Sequence, residues 1–112
     1  MKRVAIPLNG DQLSAHFGHC EHFGVFDIED DQIIRKNFEP SPPHEPGLLP
    51  RWLAEKGVNE IIAGGMGQRA IQLFEQQKVG VIVGVNPQQD YQAILEQYLS
   101  KGIEAGENCC DH

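Results

Sequence analysis

Val79-Gly80-Val81-Ile82-Val83-Gly84-Val85 is a run without a single polar side chain. It is too short for an ordinary helix and apolar at every position, so it reads as a strand covered on both faces. That requirement places helices on two sides of a sheet, and the rest of the chain supplies them. Val4-Ala5-Ile6-Pro7-Leu8 is a buried first strand closed by the turn Asn9-Gly10-Asp11. Residues 11–21 show no period and contain Gly18, which predicts a loop. Residues 23–28 and 33–38 form a hairpin joined at Glu29-Asp30-Asp31-Gln32. Residues 39–50 hold five of the seven prolines, so they are an irregular crossover rather than an element.

After Pro50 the period changes. Leu49, Trp52 and Leu53 share one face of a helix that tolerates Pro50 in its first turn and stops at Gly57. A strand over 58–63 leads through Gly64-Gly65-Met66-Gly67 into a helix over 68–77, with Ala70, Ile71 and Phe74 facing inward. The apolar strand follows, Asn86-Pro87 breaks the chain, and a last helix over 90–100 carries Tyr91, Ile94, Leu95, Tyr98 and Leu99 as its apolar stripe. Gly102 stops it. The expected order is β-β-β-α-β-α-β-α: an α/β domain over 1–102 on a mixed five-stranded sheet, whose strand exits gather along one edge. The tail, 103–112, has no period.

The bulk numbers fit one such domain. A chain of 112 residues with 40% hydrophobic content supports a single modest core. Nine basic against sixteen acidic residues give a net charge of −7, which excludes a nucleic acid bound through a broad basic face. Met1-Lys2-Arg3 runs directly into the first strand, and no apolar run approaches the ~18 residues needed to span a bilayer. A cytoplasmic protein without a membrane partner is expected.

Seven of the eight histidines and cysteines fall in two clusters: His16, His19, Cys20 and His22 after the first strand, and Cys109, Cys110 and His112 at the end. Imidazole and thiolate are the ligands that zinc, iron and copper prefer, and not those of magnesium or calcium. The early cluster can converge on one ion only if its loop curls, which Gly18 permits; otherwise it is a set of exposed histidines with Cys20 as a small buried residue. Cys109 and Cys110 are adjacent and could pair only in a strained ring, so reduced thiols that ligate a metal fit better than a disulfide framework. If the tail folds back beside His16 and Cys20, a mixed sulfur–nitrogen site forms.

Gly64-Gly65-Met66-Gly67-Gln68-Arg69-Ala70 is the third feature. A glycine-rich turn feeding a helix N-terminus exposes backbone N–H groups that attract anions. It lacks the Lys-Ser/Thr of a P-loop and the spacing of a dinucleotide fingerprint, and a tight strand–helix turn is the plain alternative. Arg69 opposes the helix dipole, which hints at an anionic ligand unless it is a solvated surface arginine. His44, in a proline-rich loop, is polar surface by default, and Trp52 is core.

Taken together, Val4-Ala5-Ile6-Pro7, Ser14-x-His16-Phe17-Gly18, residues 23–30, Leu53-Ala54-Glu55-Lys56-Gly57-Val58 and Ile62-Ala63-Gly64-Gly65-Met66-Gly67-Gln68-Arg69-Ala70 resemble the family of nitrogenase iron–molybdenum cofactor biosynthesis proteins: the NifX type, the NafY core and the C-terminal domain of NifB. The resemblance spans nearly the whole chain. It implies a ribonuclease-H-like three-layer fold and a carrier or scaffold for an anionic metal–sulfur cluster, iron–sulfur or molybdenum-containing, exchanged with a cluster-donor or acceptor protein. The family's cofactor-contacting histidine carries over onto His16 and its glycine-rich loop onto residues 64–70, and His44 matches a histidine the family often has. Cys20 stands where many members have a small residue, and the Cys109-Cys110-Asp111-His112 tail is an addition, which favours a member that holds its own metal.

The lead expectation is therefore a non-catalytic binding protein. A structural zinc site pinning the tail to the first loop is the alternative. A hydrolase fits less well: a nuclease of that fold wants carboxylates on its first strand, and Val4 to Leu8 has none.

Overall fold

The computed structural model describes residues 2–14, 20–41, 48–85 and 89–100. The strands are β1 (Lys2–Asn9), β2 (Gln12–Leu13), β3 (His22–Glu29), β4 (Gln32–Pro40), β5 (Glu60–Ile62) and β6 (Gly80–Ile82); the helices are α1 (Leu48–Glu55), α2 (Gln68–Gln76) and α3 (Tyr91–Ser100). The sheet order is β4-β3-β1-β5-β6, with β2 pairing β1 off this path. β1, β3 and β4 are antiparallel neighbours, whereas β5 and β6 run parallel to β1.

Strand alternation sorts the core into two layers. Ala5, Phe23, Val25 and Ile61 turn to one face, where they pack with Leu49 and Leu53 of α1 and Phe74 of α2. Val4, Ile6, Leu8, Phe26, Ile28 and Ile62 turn to the other, against Ile94 and Leu95 of α3. The α/β class, the mixed sheet and three helices match the expectation from sequence. The sheet has a sixth strand, however: β2 lies in the segment expected to be loop. Two residues are too few for any period to show, yet Leu8 pairs with Leu13, which is 3% exposed.

The all-apolar run gives only three residues of ladder. β6 is an edge strand, so Val81 packs against the α1–α2 layer and Ile82 against the α3 layer, both only half-buried. Ala70 and Ile71 are likewise half-buried flanks, and Phe74 alone of the three is fully inside. Trp52 is half-buried, tilted against Phe23 at 5.6 Å between ring centroids.

Two glycines are demanded locally. At Gly24 a Cβ would come within 2.7 Å of the Phe26 ring, so the bare backbone is what lets Phe26 lie across the strand. At Gly57 (φ +79) the chain leaves α1 in the left-handed conformation, as expected just past a helix end. Arg3 reaches that end: its Nη1 donates to the Lys56 carbonyl, while its Nε donates to Asp27 Oδ1 at 2.6 Å.

At the far end of α3, Tyr98 donates its hydroxyl to Glu60 Oε1 at 2.5 Å, and Lys2 Nζ lies 3.5 Å from the same oxygen. Burial, then the Glu60 hydrogen bond, raises the Tyr98 pKa above its ordinary 10.0; the Tyr98 hydrogen bond and the Glu60 charge raise that of Lys2. Both folded-state values exceed the unfolded ones, so this contribution is complete below the unfolded pKa and is lost as pH rises through the folded one. Thermal stability is therefore expected to fall at pH above 10.0. Phenolate absorbance should show one tyrosine ionising late, and Tyr98→Phe should abolish that late component.

Candidate functional site

β1, β5 and β6 are parallel, so their carboxyl ends lie on one edge, and β3, antiparallel to β1, begins there, with His22 opposite Leu8. Ligands of open α/β sheets bind in the crevice outside such an edge. The described segments that emerge at it are residues 10–14, 20–21, 63–67, 83–85 and 89–90, among them Cys20 and the glycine-rich loop.

The first segment is tied at both ends. Ser14 N donates to the Pro7 carbonyl at 2.9 Å and Glu21 N to the Leu8 carbonyl at 3.0 Å, so the chain leaves and returns over adjacent residues of β1. Glu21 reinforces this: its Oε1 accepts from Gly10 N at 2.7 Å, and its N–H also meets Asn9 Oδ1 at 2.9 Å. His16 and His19, between those anchors, lie outside the described residues, as do His44, Cys109, Cys110 and His112.

Cys20 and His22 are described, and the sheet separates them. Cys20 is a half-buried thiol packed against the α1–α2 core. His22 stands edge-on to Phe38 at 6.0 Å between centroids, and Phe38 in turn meets Phe26 and Tyr91 of the opposite layer. Glu21, His22, Phe38 and Pro40 line an open depression of about 330 Å³ there. Two residues apart in sequence, these two donors have different surroundings, one against the α1–α2 core and the other beside Phe38. Among the described residues no three His, Cys, Asp or Glu side chains form a group able to hold a metal.

The glycine-rich loop is fixed from beneath. Ala63 N donates to the Ile82 carbonyl at 2.8 Å and Gly84 N to the Gly64 carbonyl at 3.0 Å, so the exit of β6 holds the exit of β5. Gly64 and Gly65 are buried, and Met66, 1% exposed, plugs the loop into the same α1–α2 core that Cys20 touches. Gly67 is exposed and is the N-cap of α2, with φ −66 and ψ 153 and no side-chain cap. Any L-residue adopts that conformation, and a Cβ there would meet nothing within 4 Å. The tight-turn explanation therefore fails at Gly67, since neither its backbone nor its packing calls for glycine. The first turn of α2 directs backbone N–H groups toward the same open space. Arg69, in that turn, is exposed.

Sequence reasoning did not reach Gly84, which carries a positive φ (+81) at this edge, or the anchoring role of Glu21. A glycine inside an apolar strand pattern was the available signal for the first.

These features define an α/β domain with a glycine-rich loop that feeds a helix N-terminus at the carboxyl edge of its sheet. Comparison with known proteins agrees. Residues 1–101 match the family model described as dinitrogenase iron–molybdenum cofactor, and the chain belongs to that family. It is 34% identical over 86 residues to an uncharacterized protein of Methanocaldococcus jannaschii, covering 72% of this chain and 73% of that one. The crystal structure of a protein named PH0822 superposes with a TM-score of 0.85 at 27% identity, covering 92% of this chain and 93% of that one. The apo form of the orange protein from Desulfovibrio gigas has the same fold, with a TM-score of 0.75, 19% identity and coverage of 96% and 95%.

Proposed function

We propose that this chain is a non-catalytic carrier that holds an anionic metal–sulfur cluster as cargo, in front of Gly67 and the first turn of α2, and passes it between a donor and an acceptor protein. We take its fold to be ribonuclease-H-like, on the strength of an antiparallel hairpin set beside a parallel pair. The observation that carries the reading is Gly67: a cap position open to solvent, free of any packing demand, and filled by the one residue that lets a bulky group approach the backbone.

The described donors suit a cluster that brings its own sulfides better than a bare ion. Backbone amides offset negative charge, and Cys20, packed on the same core as Met66, is one thiol at the same edge. Further ligands are proposed from His16, His19, Cys109, Cys110 and His112, with His44 and Arg69 as polar contacts. The chain's net charge of −7 works against an anionic cargo, so the attraction has to be local to this loop.

Anaerobic purification followed by metal and sulfide analysis and a visible spectrum tests the proposal. Iron with acid-labile sulfide, or molybdenum, supports it. One zinc per chain without visible absorption replaces it with a structural site, and a chain that takes up no metal when offered iron, molybdate and sulfide overturns it.

A further inference from the structure

β4 is the longest strand of the sheet and lies at its edge, with the burial pattern of a ribbon left almost bare. It carries Ile34 and Phe38, 52% and 46% exposed, the two large apolar side chains standing out among the described residues. No described strand pairs with its outer side. An edge of that length offers backbone N–H and C=O groups to another strand. We propose that the occupant is the same strand of a second copy, paired antiparallel about a two-fold axis through Asn37.

The charges on β4 select both the partner and the register. With Asn37 opposite its own copy, Arg35 faces Glu39 of the second chain twice over and Lys36 faces Phe38, all within the regular stretch of β4 that follows the bulge at Ile34. Opposite charges directly across a ladder attract, and an ammonium beside an aromatic face adds to that. Shifting the axis to Lys36 would bring Ile34 opposite Phe38 but would set Lys36 against itself. Arg35 is available for the new contact: it is 68% exposed and only 4.0 Å from Asp27, whose closer partner is Arg3 at 2.6 Å. Glu39 already holds Lys56 at 2.7 Å, so its carboxylate is oriented on that face of the sheet. In a chain of net charge −7, this strand has two basic residues and one acidic residue, which removes local repulsion between copies. Pro40, the residue that would block a ladder, sits at the end of the strand and leaves the central pairs intact.

Sedimentation velocity of the full chain over a wide concentration range tests this. The expected result is a monomer–dimer equilibrium whose Kd rises at least ~10-fold in Arg35→Glu, where like charges meet twice, and returns toward the parent value when Glu39→Arg is added. A monomer at every concentration overturns the proposal. So does a dimer indifferent to Arg35→Glu, or one that the charge swap fails to restore. Hydrogen exchange needs no variant: β4 amides should slow as concentration rises, and exchange there that ignores concentration overturns it equally.

Discussion

Replacing Arg3 by alanine is expected to destabilise the domain by about 3 kcal/mol, read as a lower denaturant midpoint at unchanged slope. Asp27 has a side chain only 5% exposed, on the middle strand of the antiparallel half, and Arg3 holds it from the adjacent strand. Removing Arg3 leaves Arg35, at 4.0 Å and largely in solvent, as the nearest cation to that carboxylate. It also strips the Lys56 carbonyl of its donor at the end of α1. The value stands at the low end for a buried pair because Arg3 itself is 31% exposed and water reaches part of it. Adding Asp27→Asn to Arg3→Ala should recover part of the loss, because the uncompensated charge is gone. Strict additivity of the two changes would show that the pair does not act as a unit.

Phe26→Ala should cost more, about 3–5 kcal/mol by chemical denaturation. Phe26 is fully buried, stacks on Tyr91 at 5.4 Å between centroids, and meets Phe38 edge-on at 5.9 Å. Its ring also occupies the space over Gly24, so part of the cavity opens over bare backbone, with Leu8 as the neighbouring side chain there. Phe26→Leu, which keeps most of the volume, should lose less than half as much. A loss below ~1 kcal/mol for Phe26→Ala would contradict the packing described for the α3 layer.

How far the sequence could be read depends on where period carries information. β1, β3 and the helices follow their apolar spacing, since residues of the two strands alternate between two cores and each helix turns its apolar face to one of them. β2 escaped because two residues have no period, and β6 proved shorter than its apolar run because an edge strand has only one neighbour to define it. The Arg3–Asp27 pair went unnoticed although an acid inside Phe23-Gly24-Val25-Phe26-Asp27-Ile28 signals a buried partner. At the site, spacing alone did not tell the surroundings of Cys20 from those of His22. Residues two apart share a face only within a strand, and Cys20 precedes β3, outside its alternation. The glycine-rich loop was legible as a place, yet the reason for Gly67 was not, since φ and open space belong to the folded backbone alone.

Gly67→Asp separates the folding of that loop from its proposed task. Its backbone is already extended, and Asp is a better N-cap than Gly, so α2 should gain a few tenths of a kcal/mol. The same carboxylate would stand in front of the amides where an anionic cluster is held. The direct measurement is the iron, molybdenum and sulfide retained per chain after anaerobic loading, for the parent and for Gly67→Asp side by side. The account predicts a loaded parent and a variant at least as stable that retains ~10-fold less. Equal retention by the two, or tighter retention by the variant as a bare cation would give, contradicts it.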